Sequence, residues 1–222
     1  MTASRAVTDE LLAGLREGRW RPAAWARFAV FAARRSVRQA ARHPRALAEV
    51  TALHGLLALL AGRPGRRWVA ASWVMAASHL GLLDTKPSLG LPNAITLLRA
   101  NLPAIGGPPR WIPALALASD LADGQLARRG DAVTAFGAHA DSLADAAFWT
   151  WFTLRHEPSP GIRIAALAAW AGPVAAVTAV SVARGRMTDA PRPAVLRPAA
   201  AIQAVLAIRA AQRRPATPPP SR

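Results

Sequence analysis

Apolar sequence cut into short pieces by proline and glycine is the feature that most restricts how this chain can fold. Seven such segments run approximately from Leu47 to Ala61, Trp68 to Leu83, Ala94 to Ile105, Trp111 to Ala122, Ala132 to Leu154, Ile162 to Val182 and Ala194 to Ala210. Between them stand Arg63-Pro64-Gly65, Pro87-Ser88-Leu89-Gly90, Gly106-Gly107-Pro108-Pro109, Arg129-Gly130-Asp131 and Pro158-Ser159-Pro160-Gly161. Proline and glycine end helices and open turns, so the segments read as antiparallel helices packed side by side. Several fall short of the ~20 residues that a perpendicular membrane span needs, and flanking Trp and Arg side chains can extend a short span by reaching the interface. The expectation is an all-α, polytopic transmembrane bundle of six or seven helices, with Leu47 to Ala61 or Ala194 to Ala210 re-entering or lying flat. No segment repeats at a fixed period, so a solenoid is not indicated.

Composition supports a membrane chain. A hydrophobic share of 52% exceeds that of an ordinary soluble domain. The formal net charge of +16 comes almost wholly from arginine, since Lys86 is the one lysine. An excess of that size suits nucleic acid, an anionic membrane face or a phosphorylated substrate. Nucleic acid fits worst, because the arginines lie between apolar runs and no zinc-ligand or RNA-binding pattern accompanies them. With no cysteine, thiolate chemistry is excluded, and any metal must be held by oxygen or histidine. Residues Met1 to Leu15 contain Asp9 and Glu10 and lack a sustained apolar run, so insertion should use internal segments.

Arg27, Arg34, Arg38, Arg42 and Arg45 recur at helical spacing while Trp25, Phe28, Val30 and Ala32 fall largely on other faces. This stretch reads as an amphipathic helix on the membrane surface. Three regions follow: a cytoplasmic N-terminal segment over 1–46, a membrane domain over 47–211, and a disordered, basic, proline-rich tail over 212–222. The Arg-rich N-terminus and Arg128-Arg129 both favour the cytoplasm if two spans precede Asn93, which leaves Arg63, Arg66 and Arg67 outside. The eight tryptophans stand mostly near segment ends, as an interfacial belt would.

Four aspartates inside this apolar sequence carry the chemistry. Asp120 and Asp123 are three residues apart, and Asp141 and Asp145 four, so each pair projects from one helix face. A turn at Arg129 to Asp131 can set the pairs opposite one another. Unpaired carboxylates in a bundle repel one another and cost several kcal/mol each to desolvate, so they demand cations. Oxygen ligands favour magnesium or manganese, and two such ions can bridge a diphosphate and orient an attacking oxygen for in-line displacement. Gly124, Ala127 and Gly137 lie at helical spacing from the aspartates and leave space for a ligand near the backbone. His139 points to another face, and Asp131 is ordinary cap material before Thr134.

The run from Asp120 to Asp145, D-x-x-D-G-x-x-A-R-x8-G-x-x-x-D-x-x-x-D, resembles the motif of the CDP-alcohol phosphotransferases at every fixed position. Upstream, Pro92-Asn93, Thr96 and Arg99 resemble the P-N-x-x-T-x-x-R entry to that family's first core helix. The resemblance implies that Asp120, Asp123, Asp141 and Asp145 hold two divalent cations, Mg2+ or Mn2+. It implies that Asp145 also takes the proton of the acceptor hydroxyl, whose oxygen attacks the β-phosphate so that CMP leaves. Asn93, Thr96, Asp120, Gly124, Ala127, Arg128 and Gly137 would bind the CDP group. The implied setting is phospholipid synthesis at the cytoplasmic face of the cell membrane, with CDP-diacylglycerol or a related CDP-alcohol as donor and a small polar alcohol as acceptor. Members of this kind are often homodimers.

Acceptor identity stays open. Ala146 follows Asp145 where glycerol phosphate- and inositol phosphate-using members often carry a basic residue. The run Asp141 to Asp145 resembles serine-using members, whose V-S-F-G continuation is replaced here by Ala146-Ala147-Phe148-Trp149. Among Arg99, Arg184, Arg186, Arg192 and Arg197, which can bind an acceptor phosphate or anchor helix ends at the interface, Arg184 and Arg186 are the acceptor candidates. Two other functions are compatible with parts of the pattern. An intramembrane prenyltransferase also uses aspartate pairs and magnesium but lacks the G-x-x-A-R continuation. A non-catalytic protein gripping anionic membrane would need only the Arg27 to Arg45 helix and the basic tail.

Overall fold

The structure is a computed structural model that describes residues 3–106, 111–130, 133–186 and 193–212. All regular structure among them is helical. In chain order the helices are α1 (Ala3–Glu17), α2 (Pro22–Arg42), α3 (Pro44–Leu60), α4 (Arg63–Ser78), α5 (Leu91–Ala100), α6 (Leu102–Ile105), α7 (Ile112–Arg129), α8 (Ala135–His156), α9 (Pro160–Arg184) and α10 (Pro193–Gln212), with a 3-10 turn at Leu80–Leu83. Among the described residues ten helices stand where a bundle of six or seven and one N-terminal amphipathic helix were expected. Each apolar segment contains a helix and α2 covers most of the expected amphipathic stretch, but α1 precedes it and Asn101 divides the Ala94 to Ile105 segment into α5 and α6. Of the tail expected over 212–222, Gln212 is the last residue of α10 and residues 213–222 lie outside the described residues.

Proline sets most of the starts. Pro22, Pro44, Pro64, Pro92, Pro103, Pro113 and Pro160 each occupy a first-turn position, where the missing N–H has no intrahelical partner to lose. At α8 the cap is Thr134, whose hydroxyl accepts from Gly137 N at 3.0 Å. The cap is thus Thr134 itself, and not Asp131, which lies outside the described residues. Helix α9 ends where Gly185 takes φ of +65°, a conformation open to glycine without a Cβ clash.

The short helix α5 lies against both α7 and α8, so its buried face looks toward both aspartate helices. One core cluster joins Ile112 and Ala116 of α7 to Phe148, Trp149 and Phe152 of α8, Trp170 of α9 and Leu206 of α10. A second joins Val50, Ala76, Leu80, Leu83 and Leu97 to Phe136 of α8. Trp149 and Trp170 are therefore core residues and not part of an interfacial belt, whereas Trp25 and Trp111 are exposed. At a third cluster, of Leu57, Ala61, Val69 and Ala104, α4 meets α6 so closely that a Cβ on Gly65 would lie 2.3 Å from the Ala104 carbonyl oxygen. Only glycine fits there.

Leu56, Leu59 and Leu60 of α3, and Ile164 and Val174 of α9, face outward and exposed. Among the described residues one helix, α9, is long and apolar enough to cross a membrane, and Ala199–Gln212 forms a shorter apolar helix.

Candidate active site

The face that α5 turns toward α7 and α8 carries Asn93, Thr96 and Arg99, all buried. They recur every three residues, so one side of one short helix presents all three. Asn93 is fixed by donating from Nδ2 to the Leu89 carbonyl at 2.6 Å. The Thr96 hydroxyl lies 2.6 Å from Asp123 Oδ2, joining α5 to α7.

Arg99 is the centre of the arrangement. Its side chain is fully buried, and its guanidinium meets all four aspartates. Nη1 lies 3.1 Å from Asp120 Oδ1 and 3.3 Å from Asp123 Oδ2. Nη2 donates to Asp141 Oδ1. Nε lies 3.2 Å from Asp145 Oδ1, and Asp145 Oδ2 accepts from Gln203 of α10 at 3.1 Å. The two helical pairs are thus brought face to face around a residue from a third helix. An interfacial anchor at Arg99 is ruled out by its burial, and so is a free acceptor-binding arginine.

Charge balance at this point is incomplete. One guanidinium faces four carboxylates, and its buried Nε and Nη1 complete no hydrogen bond among the described residues. Charge holds Arg99 there more than hydrogen-bond direction does. Asp120, Asp141 and Asp145 each place an oxygen within 4.8 Å of the others, and all three remain partly open to solvent. Asp123 is the buried member, at 7% side-chain exposure. An all-oxygen cluster with excess negative charge and an open side fits a hard divalent cation. The residues present therefore suit magnesium or manganese.

Beside the cluster opens a cleft of 430 Å3, lined by Asn93, Thr96, Asp120, Asp123, Gly124, Ala127, Arg128, Gly137 and Asp141 among others. Each residue that the sequence pattern assigns to nucleotide binding is on its wall. Arg128 lies over Gly124, where a Cβ would stand 3.2 Å from Nη1. A Cβ on Gly137 would fall 2.7 Å from Asn93 Oδ1, so this glycine lets α8 approach α5.

His139 stands elsewhere: Nδ1 bonds the Ala135 carbonyl oxygen at 2.7 Å, and the ring lines an apolar cavity between α4, α5 and α8. Arg184 and Arg186 are exposed at the C-terminal end of α9, where Arg16 of α1 donates to the Arg184 carbonyl. Neither lines the cleft. Arg192 and the side chain of Arg197 lie outside the described residues. Sequence reasoning missed two participants. Arg99 was legible in principle, since it continues the Asn93 and Thr96 spacing onto the same face. Gln203 carried no signal, being one of several scattered polar residues in a largely apolar helix, 58 positions from Asp145.

Compared with protein families, residues 109–211 match the family model described as CDP-alcohol phosphatidyltransferase, a span that includes all four aspartates, Arg128 and Gln203. No curated protein and no solved structure matches the chain.

Proposed function

From the premise that residues 109–211 carry the CDP-alcohol phosphatidyltransferase pattern, we propose that this protein moves a phosphatidyl group from a CDP-alcohol to an acceptor hydroxyl and releases CMP. CDP-diacylglycerol is the donor and a small polar alcohol the acceptor, in phospholipid synthesis at the cytoplasmic face of the cell membrane. The observation that carries the reading is the convergence of Asp120, Asp123, Asp141 and Asp145 on Arg99, beside the 430 Å3 cleft whose wall includes the first three. The outward Leu56, Leu59, Leu60, Ile164 and Val174 support a bundle set in lipid, with α9 as one span.

The roles follow from position. Gly124 and Ala127 leave the α7 backbone open to the cytidine, and Asn93 and Thr96 border it from α5. Arg128 extends a planar guanidinium with several donors toward the diphosphate. Asp145, oriented by Gln203, accepts the proton of the acceptor hydroxyl as that oxygen bonds to the β-phosphorus. The bond from β-phosphorus to the bridging oxygen breaks, and CMP departs with that electron pair. Asp120, Asp123, Asp141 and Asp145 would hold two Mg2+ or Mn2+ ions, which supply Lewis-acid neutralisation of the diphosphate.

The test is CMP release from CDP-diacylglycerol by purified protein with Mg2+ or Mn2+, across glycerol 3-phosphate, inositol phosphate, inositol and serine. Acceptor-dependent CMP that disappears in Asp145→Asn is the expected result. Folded protein that binds the donor and yields no CMP with any of these acceptors would count against the proposal.

A further inference from the structure

The N-terminal hairpin encloses a space that the transfer reaction does not use. Between α1 and α2 lies a groove of 760 Å3, larger than the aspartate cleft, with Arg27, Arg34, Arg35, Arg38 and Arg42 along its α2 side. The opposing α1 wall offers two acids, Glu10 and Glu17, so five cations face two anions. None of the five arginines makes an ion pair or hydrogen bond among the described residues. Unpaired guanidinium groups converging on a concave surface are an anion site in waiting, and arginine matches phosphate geometry better than lysine does.

The same groove also has an apolar wall. Leu11 of α1 and Phe28 and Phe31 of α2 line it, and Phe31 is 57% exposed. Inorganic phosphate would engage the arginines and leave that wall against water. An amphiphile, with an anionic head and a hydrocarbon body, satisfies both. On the outer side of α2, Val30 and Val37 are likewise exposed, which suits a helix meeting lipid at its surface.

We propose that the α1–α2 groove binds the phosphate headgroup of an anionic phospholipid, with the start of its acyl chains against Phe28 and Phe31. The surface helix expected from the arginine spacing is thereby given a defined pocket in place of a diffuse charged face. Helix α1, which carried no signal of its own, supplies the second wall. The site is separate from the aspartate cleft, with which it shares no lining residue.

The experiment uses the full chain in zwitterionic detergent, titrated calorimetrically with dihexanoyl phosphatidylglycerol, dihexanoyl phosphatidylcholine or inorganic phosphate. Saturable binding of phosphatidylglycerol is expected, with the other two binding at least tenfold more weakly. The double variant Arg34→Gln/Arg38→Gln should weaken the phosphatidylglycerol affinity by about tenfold or more. Arg63→Gln/Arg67→Gln, which removes the same charge at the exposed start of α4, should leave it unchanged. Phe31→Ala removes apolar wall and no charge; its side chain is too exposed to hold the fold together, and it should weaken the lipid several-fold. Asp145→Asn should bind the lipid as the unaltered chain does, which separates this site from the transfer reaction. Equal weakening by both double variants would reduce the groove to diffuse charge and overturn the proposal. So would inorganic phosphate binding as tightly as the lipid, or no saturable binding at all.

Discussion

Gln203 Nε2 lies 3.1 Å from Asp145 Oδ2, so α10 holds the last carboxylate of the aspartate series from the side opposite Arg99. A carboxylate held at both oxygens keeps one orientation within the aspartate cluster. Gln203→Leu should lower the rate of CMP formation about tenfold while leaving donor binding unchanged, since Gln203 does not line the cleft. Gln203→Glu should lower it further, because a second carboxylate would repel Asp145. Steady-state kinetics with donor and acceptor varied separately decide this, and a change confined to KM for the donor would contradict it.

Arg99 is the internal counter-ion of the cluster. Replacing it with Met leaves four carboxylates facing one another, and removing one partner of a buried ion pair costs about 3–5 kcal/mol. Thermal unfolding of Arg99→Met should therefore begin well below that of the unaltered protein in chelator. Millimolar Mg2+ or Mn2+ should recover part of the difference by neutralising the same carboxylates. Unfolding at the same temperature with and without Arg99 would show that the charges are balanced elsewhere.

Because Arg99 is already in place, metal removal should abolish CMP release without unfolding the protein. The expected result is loss of activity in EDTA, unchanged far-ultraviolet circular dichroism, and recovery on adding Mg2+ or Mn2+. Loss of helix in EDTA would mean that metal, and not Arg99, holds α7 and α8 together.

Gly137 is a point of close approach between α8 and α5. A methyl group there meets the buried and hydrogen-bonded Asn93 side chain, which has nowhere to go. Gly137→Ala should cost about 1–3 kcal/mol of stability and reduce donor affinity by shifting the cleft wall. Gly172→Ala is the control, since nothing lies within 4 Å of its added Cβ. In mid-helix that change should be neutral or stabilising by up to about 1 kcal/mol. Equal effects from the two would remove the steric argument.

Much of the site was legible in the chain because it is written at helical spacing. Asp120 with Asp123, and Asp141 with Asp145, had to share helix faces, and Gly124, Ala127 and Arg128 had to lie near the first pair. Helix content was legible for the same reason: prolines mark the starts of seven helices, and apolar runs fill six of those seven. Helix number was less so. Asn101 divides α5 from α6 by donating to the Leu97 carbonyl and to Ser72 of α4, a tertiary contact invisible in the run Ala94 to Ile105.

What the sequence determined by itself is local: which residues are helical, which side chains share a face, and that four carboxylates in apolar surroundings require positive charge. Tertiary structure decided where part of that charge comes from. Arg99 was visible as the last position of the pattern begun by Asn93 and Thr96 but equally as an arginine able to anchor a helix end, and only the packing of α5 against both α7 and α8 buries it among the aspartates. It likewise decided that Trp149 and Trp170 fill the core and that α1 closes a groove over the α2 arginines. Spacing along a helix fixes direction within a few residues, whereas contacts between helices depend on how distant faces fit together.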